Sequence, residues 1–430
     1  MIASGLGFAA LFGLLAIGVP LGFAMALVGF VGFGLLVSFE AASYSIGQIV
    51  FDNVMNYGFS VLPLFILMGN FVARSRLAEE LFAAAEAFVG HRPGGLAQAT
   101  ILACGGFSSV CGSSVATAAT MVKIALPPMR TRGYADSLAT AAIAAGGTLG
   151  ILIPPSTVMV IYGILTGTDI GKLFAAGIIP GAVAVALLLA AVTLATLRRP
   201  EIGPSGPRRS WPERLGALRK TWGIVALFAL VMGGIYFGIF TATEAAGIGA
   251  AGAFLFVILR RLLDFESLKR TLAETARTTA MMFVILFGAL AFSNFIEAAG
   301  LPTALSRWIA GLDVPPLVVV LVIVAIYLVL GCALESISMV LLTVPIFFPI
   351  VTGLKYDPIW FGIVVVVVTE ISMITPPVGL NIFVINAMAP EVPTGAVIRG
   401  LVPFVGAEIA LLLVLMAVPG LATWLPSLMR

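Results

Sequence analysis

Residues 146–156 read GGTLGILIPPS and residues 369–379 read TEISMITPPVG. Each stretch falls near the centre of a long apolar run, 137–168 in the first case and 358–388 in the second. As straight helices these runs would be about 50 Å long, well beyond a hydrocarbon core of about 30 Å. Proline has no N–H to donate and its ring clashes with the preceding turn, so a Pro-Pro pair in such a run predicts an unwound stretch. Both runs therefore read as membrane helices broken in the middle.

Working outward, the run before each broken helix is interrupted too. Residues 95–128 divide at CGSS (111–114) and residues 315–350 divide at GCALESIS (331–338). Each half has about 15 residues, too few to cross, which predicts a re-entrant helical hairpin with its tip near mid-membrane. The features recur in order at a constant shift. The displacement that carries Ser114 onto Ser336 also carries Pro127 onto Pro349, Pro154-Pro155 onto Pro376-Pro377, and Asp169 onto Glu391. Asn70-Phe71 maps onto Asn294-Phe295 at a slightly larger shift, so small insertions intervene. An internal repeat of this kind is the strongest organisational signal in the chain. It divides the sequence into a first repeat at 1–197, a linker at 198–221 and a second repeat at 222–430.

Composition agrees with lipid as the main solvent. Sixty per cent of the 430 residues are apolar, 10% are charged, and the mean hydropathy is +1.14, more apolar surface than a water-soluble fold can hide. The first apolar run is expected to begin the membrane domain rather than to be a removed leader. Cys104, Cys111 and Cys332 lie in apolar or glycine-rich sequence without CxxC spacing, which argues against a disulfide framework or a thiolate metal site. Charge gives orientation, because Lys and Arg near membrane ends favour the cytoplasm. The linker carries Arg198, Arg199, Arg208, Arg209, Arg214, Arg219 and Lys220 against Glu201 and Glu213, so it is expected to be cytoplasmic. Two spans back, the mouth of the first hairpin with Arg74, Arg76, Arg92, Arg130 and Arg132 falls on the same side. Three spans forward, the mouth of the second, with Arg307 and Lys355 beside Asp313 and Asp357, falls on the periplasmic side. The repeats are thus expected to be inverted. Two amphipathic stretches, 77–89 and 265–277, are expected to lie along the interface.

The fold class is therefore an all-α polytopic membrane protein of two inverted repeats, each with a re-entrant hairpin and a discontinuous helix. That is an architecture of secondary transporters, in which unwound backbone offers carbonyls to a cation and helix N-termini to an anion. No GxxxxGK[ST] phosphate loop is present, so ATP is not implied. In the first repeat Gly112, Ser113 and Ser114 would face Gly147, Thr148 and Gly150. In the second, Glu335, Ser336 and Ser338 would face Thr369, Glu370 and Ser372. Hydroxyls, carbonyls and closely approaching glycines suit Na+, which predicts two related cation sites. Taken singly, each hydroxyl is equally compatible with a bond back to a helix carbonyl. Glu335 and Glu370 fall at the deepest levels, where an ionisable group is read first as functional. Ser113, Ser156, Thr157, Asn294 and Glu335 are the candidate substrate-binding residues: Ser156 and Thr157 suit donation to a carboxylate from an unwound helix end, Asn294 is expected to reach the same cleft, and Glu335 suits binding a cation, exchanging a proton or orienting a substrate hydroxyl, whereas Glu244 reads as a helix-starting acid.

The stretches GFSSVCGSSVATAATM, GGTLGILIPPS, GIFTATEAAG and ITPPVGLNIFVI resemble signature sequences of the large membrane subunit of tripartite ATP-independent periplasmic (TRAP) transporters, over nearly the whole chain. The resemblance implies an elevator mechanism and two Na+ sites at the hairpin tips. It also implies a small four-helix membrane subunit as a separate chain, and a periplasmic binding protein delivering a small organic acid. A self-sufficient Na+/dicarboxylate symporter of related fold is the nearest alternative, although the Ser-Asn-Thr tips associated with that group are absent. An integral-membrane enzyme is disfavoured: His91, the single histidine, falls in a loop, and neither HExxH nor GxSxG occurs.

Overall fold

A computed structural model of the chain describes residues 2–311, 314–331, 334–377 and 379–429. Cys332 and Asp313, with part of the second hairpin tip, lie outside the described residues. Among the described residues every regular element is helical.

Four helices open the chain: α1 (Ile2–Ala16), α2 (Leu21–Leu36), α3 (Phe39–Met55) and α4 (Val61–Arg74). A short α5 (Leu77–Val89) leads into the first hairpin, α6 (Gly95–Cys111) and α7 (Ser114–Thr131). The first broken helix is α8 (Asp136–Leu152) and α9 (Thr157–Thr166), and α10 (Ile170–Arg198) closes the repeat. The linker contains α11 (Trp211–Lys220). The second repeat follows as α12 (Trp222–Tyr236), α13 (Ala242–Leu259), α14 (Phe265–Ala298) and the short α15 (Leu301–Ala310). Its hairpin is α16 (Pro316–Gly331) and α17 (Ser336–Gly353), its broken helix α18 (Pro358–Met373) and α19 (Leu380–Met388), and it ends in α20 (Thr394–Ala417) and α21 (Gly420–Ser427). Among the described residues, seven helices or helix runs are long and apolar enough to cross a membrane, by length and composition.

Local sequence explains the breaks. The first hairpin turns at Gly112, whose φ of 65° is readily open only to glycine, and Ser113 then caps α7 by accepting from the Ala116 N–H. Helix α8 ends where Ile153 turns extended before Pro154-Pro155, and Ser156 restarts the chain by capping α9. Both Pro-Pro bonds, 154–155 and 376–377, are cis.

Three contacts give the sense of the repeats. Tyr162, in the middle of α9, donates to the Pro358 carbonyl at the start of α18 at 2.6 Å. Arg130, at the mouth of the first hairpin just before α8, pairs with Glu391, just after α19. Midway, Asn381 at the start of α19 bonds the Ala144 carbonyl of α8. The two broken helices therefore lie side by side and run in opposite directions, as inverted repeats require.

These central elements form the core. In the run 136–166, 83% of the most apolar window is buried, and in 336–353 72%, against 33 to 44% for the other spanning helices, whose outer faces are left to lipid. Around them α14 packs on α2 and α13 on α4.

One expectation is corrected. Residues 265–277 do not form a separate interfacial helix, because they run without a break into the rest of the 34-residue α14. Under the shift that relates the two repeats, the counterpart of α5 is α15. It escaped notice because Arg307 is its sole charge, which leaves little polar contrast in the sequence.

Candidate functional site

Four of the short helices made by the breaks begin at one cavity of about 490 Å³. Ser114 starts α7, Thr157 starts α9, Ser336 starts α17 and Leu380 starts α19, and all four residues line it. The opposite wall comes from α4, with Gly69 and Asn70, and from α14, with Thr278 and Met282. The first four N–H groups of a helix have no partner within it, and each N-terminus carries a partial positive charge. Convergence of four such ends makes an anion-binding environment although no Lys or Arg among the described residues lines the cavity. A volume of this size is within the ordinary range for small-molecule sites.

The first tip packs closely against the first break. A Cβ on residue 112 would lie 2.7 Å from the Pro155 carbonyl oxygen, and one on residue 150 would lie 2.6 Å from that of Ser113, so glycine is needed at both positions. Thr157 donates to the Gly112 carbonyl at 3.1 Å, joining tip and break directly. Ser113 and Ser156 each accept a backbone N–H as helix caps, which leaves their hydroxyl protons for another acceptor. Ser113, Ser114 and Thr157 line the cavity, and Ser156, fully buried, stands just behind Thr157. Ser114 is held by Asn381, whose Nδ2 donates to the serine Oγ at 2.9 Å and to the Ala144 carbonyl at 2.9 Å. Gly147 lies beside this amide.

At the second tip Glu335 and Ser336 line the cavity, Glu335 exposed to it. Ser336 reaches the Met373 sulfur at 3.2 Å, and Gly331 packs directly on Ser372. Ser338 is buried on α17. The hydroxyls of Thr369 and Ser372 bond back to carbonyls of α18, at Val365 and at Thr369. Whatever these two residues offer a cation in this conformation must therefore come from their hydroxyl lone pairs or from backbone.

Two expected site residues stand elsewhere. Thr148 turns from the tip, with its hydroxyl 2.7 Å from the Ala145 carbonyl and 3.1 Å from Glu408 Oε1. Asn294 does not reach the cavity. It donates to Ser45 on α3 at 2.9 Å, because α14 is continuous and sixteen residues beyond Thr278 is about 24 Å along the axis. Its repeat partner Asn70 lines the cavity instead, with its amide nitrogen on Thr275 Oγ1 at 2.9 Å. Glu244 closes a capping box with Thr241 at the start of α13.

Sequence reasoning missed Asn381, Thr278 and Glu408. An asparagine and a glutamate inside apolar runs were the available signals for the first and last. Beyond the membrane core, the Arg130 guanidinium holds Glu391 below the usual carboxylate range.

A family model described as the DctM component of the tripartite ATP-independent periplasmic transporter matches residues 8–421. The chain is 37% identical over 380 residues to the C4-dicarboxylate TRAP transporter large permease protein DctM of Pseudomonas aeruginosa, covering 88% of each. It is 30% identical to the sialic acid TRAP transporter large permease protein SiaM of Vibrio cholerae, covering 97% of this chain and 96% of the relative. With the isethionate TRAP transporter permease protein DctMQ of Oleidesulfovibrio alaskensis it shares 32% identity, covering 96% of this chain but 65% of the relative. Its fold is similar to that of the YdaH transporter of Alcanivorax borkumensis, with a TM-score of 0.64 at 15% identity and 90% coverage of both chains.

Proposed function

We propose a function from one premise: the chain belongs to the family of the DctM component of tripartite ATP-independent periplasmic transporters, and is a large permease subunit in the bacterial inner membrane. In our reading it carries out Na+-coupled uptake of a small organic acid, of the C4-dicarboxylate or sialic acid kind, delivered by a periplasmic binding protein. The observation that carries this is the convergence of four helix N-termini on one cavity whose described lining holds no Lys or Arg. Such a site attracts a carboxylate by dipoles and hydroxyls, and a bound cation would offset the charge that substrate and Glu335 bring together. Ser114 and Ser336, equivalent under the repeat and each at a tip, are the side-chain ligands assigned to two Na+ ions, supplemented by backbone around Gly112, Gly150 and Thr369. The substrate carboxylate is assigned to Ser113, Thr157 and the N–H groups behind them, with Ser156 fixing the start of α9.

The relatives' names support an acid as cargo, two at 37% and 30% identity being named for a C4-dicarboxylate and for sialic acid. The match to about two thirds of a protein named DctMQ supports a small membrane subunit acting beside this chain. An elevator movement of the helices bearing the cavity against those around α2, α4, α13 and α14 would expose it to each side in turn.

The test is uptake by the complex of this chain, the small subunit and the binding protein in liposomes, with Na+ replaced by choline at fixed pH and membrane potential. The expected result is loss of uptake in choline. Undiminished uptake there rejects the Na+ assignment, and full-rate uptake by this chain alone rejects the tripartite one.

A further inference from the structure

At the opposite end of α8 from the substrate cavity, α8, α10 and α20 leave a groove of about 850 Å³ between them. Leu138 lines this groove and Ile151 lines the cavity, about 20 Å apart along the same helix. Three guanidinium side chains line the groove: Arg198 at the end of α10, Arg199 just after it, and Arg399 in the second turn of α20. One turn further into each span the lining is apolar, with Leu194 on α10 and Val402 and Pro403 on α20. Leu194 and Val402 are 57% and 67% exposed, and both stand on helices long and apolar enough to cross the membrane, so the groove opens sideways to lipid. Its floor is a close contact of α20 on α8, where a Cβ on residue 400 would lie 2.0 Å from the Ser137 carbonyl oxygen.

The charge of the groove has no counterpart in the chain. None of the three arginines makes an ion pair among the described residues, whereas Arg130 and Arg132 nearby are both paired. Asp136, the acid in the described lining, is already held by Arg130 at 2.8 Å. Like charges gathered in one groove repel one another and favour an anion among them. Guanidinium groups suit a phosphate in particular, because their N–H groups match its oxygens two at a time. A water-soluble anion would answer the arginines and leave the apolar walls bare. A lipid with a zwitterionic headgroup would cover the walls but bring its own cation. A molecule with net negative charge at its head and hydrocarbon below answers both halves of the groove.

We propose that this groove binds an anionic phospholipid of the cytoplasmic leaflet, with its phosphate on Arg198, Arg199 and Arg399 and its acyl chains along Leu194, Val402 and Pro403. The leaflet follows from the Arg-rich linker that begins at Arg198, since such a segment favours the cytoplasmic side. Basic pockets between membrane helices on that side are suited to anionic headgroups. Helices α8, α10 and α20 pack on one another, so a lipid seated between their ends braces the start of the broken helix that bears the cavity at its other end. The inference depends neither on Na+ coupling nor on the identity of the cargo.

The first test is native mass spectrometry of the purified, delipidated membrane complex titrated with phosphatidylglycerol, phosphatidylcholine or inorganic phosphate. Phosphatidylglycerol should bind the wild type in preference to phosphatidylcholine, and millimolar phosphate should not displace it. Each guanidinium lost should weaken binding about fivefold, and the triple change Arg198→Gln, Arg199→Gln, Arg399→Gln about 100-fold. Arg219→Gln with Lys220→Gln, on α11 outside the groove, should change it less than about twofold. The second test leaves the arginines intact: a benzophenone amino acid at Val402, in liposomes of phosphatidylglycerol and phosphatidylcholine, should form adducts enriched in phosphatidylglycerol over its share of the bilayer. This arm stands if the triple variant does not assemble. Equal binding of the two lipids, or an equal loss in the α11 pair, overturns the proposal as mere surface attraction. Displacement by phosphate makes the groove a site for a free anion, and adducts confined to polypeptide make it a protein contact; either result also overturns it. Neither measurement needs transport, so failure here is distinguishable from failure of the Na+-coupled reading.

Discussion

At the first hairpin tip Ser114 is gripped by Asn381, which also holds Ala144, and Thr157 donates to the Gly112 carbonyl. At the second, Ser336 meets a methionine sulfur, and Glu335, just ahead of α17, opens to the cavity. The mouths differ in the same sense. Arg130 joins Asp136 and Glu391, and Arg132 joins Glu86, across the mouth of the first hairpin, whereas Asp357 at the mouth of the second caps α18. Equal sequence spacing has produced two hairpins of the same shape but unequal restraint. Among the described residues, neutral hydrogen bonds to buried partners hold Ser114 and Gly112 of the first tip, whereas the thioether that Ser336 of the second tip meets is a weak acceptor.

The comparison rests first on the hairpins entering from opposite sides. Single cysteines at Ser205 and Lys355, both exposed, in a background without native cysteine, should label from opposite faces of the membrane, an all-or-none result. Labelling of both from one face removes the inverted repeat and with it the equivalence of the tips.

The tips themselves give the next effect. Ser114→Ala and Ser336→Ala should each raise the Na+ concentration for half-maximal uptake, by roughly 5- to 150-fold if one ligand bond is worth about 1 to 3 kcal/mol. Ser114→Ala should lie at the upper end, because it also leaves the buried Asn381 amide short of a partner. Na+ titrations of uptake decide this, and a larger effect at Ser336 would reverse the order of the two tips.

The smallest effect belongs to the mouth. Arg130 lowers Glu391, so the stabilisation from their pair is fully present above the ordinary carboxylate range and is lost as pH falls through the lowered value. Glu391→Gln should lower the thermal midpoint slightly at neutral pH and make no difference in acid, because the pair is exposed and screened. A difference that persists in acid would show that Glu391 acts through something other than Arg130.

Much of this site was legible in the chain. Pro-Pro pairs and glycine-serine tips interrupt apolar runs through local chemistry: a missing N–H, a ring clash, a φ open to glycine. The breaks therefore appear in the sequence at the residues where they occur. The contacts that differentiate the tips were not legible in this way. Asn381 reaches Ser114 across 267 residues, and Thr148 reaches Glu408 across 260. Asn294 shows the converse, since it was expected in the cleft and an unbroken α14 carried it to Ser45.

By itself the sequence determined that the chain lies in lipid, that it repeats, and where its helices stop, because unfavourable burial, periodicity and proline are properties of composition and neighbours. Which helix ends meet in one cavity, which hydroxyl faces a tip and which a buried glutamate, and what each tip meets were decided by packing. A side chain's partner is set by the rotation and approach of helices distant in the chain, and that geometry exists only once the core has closed.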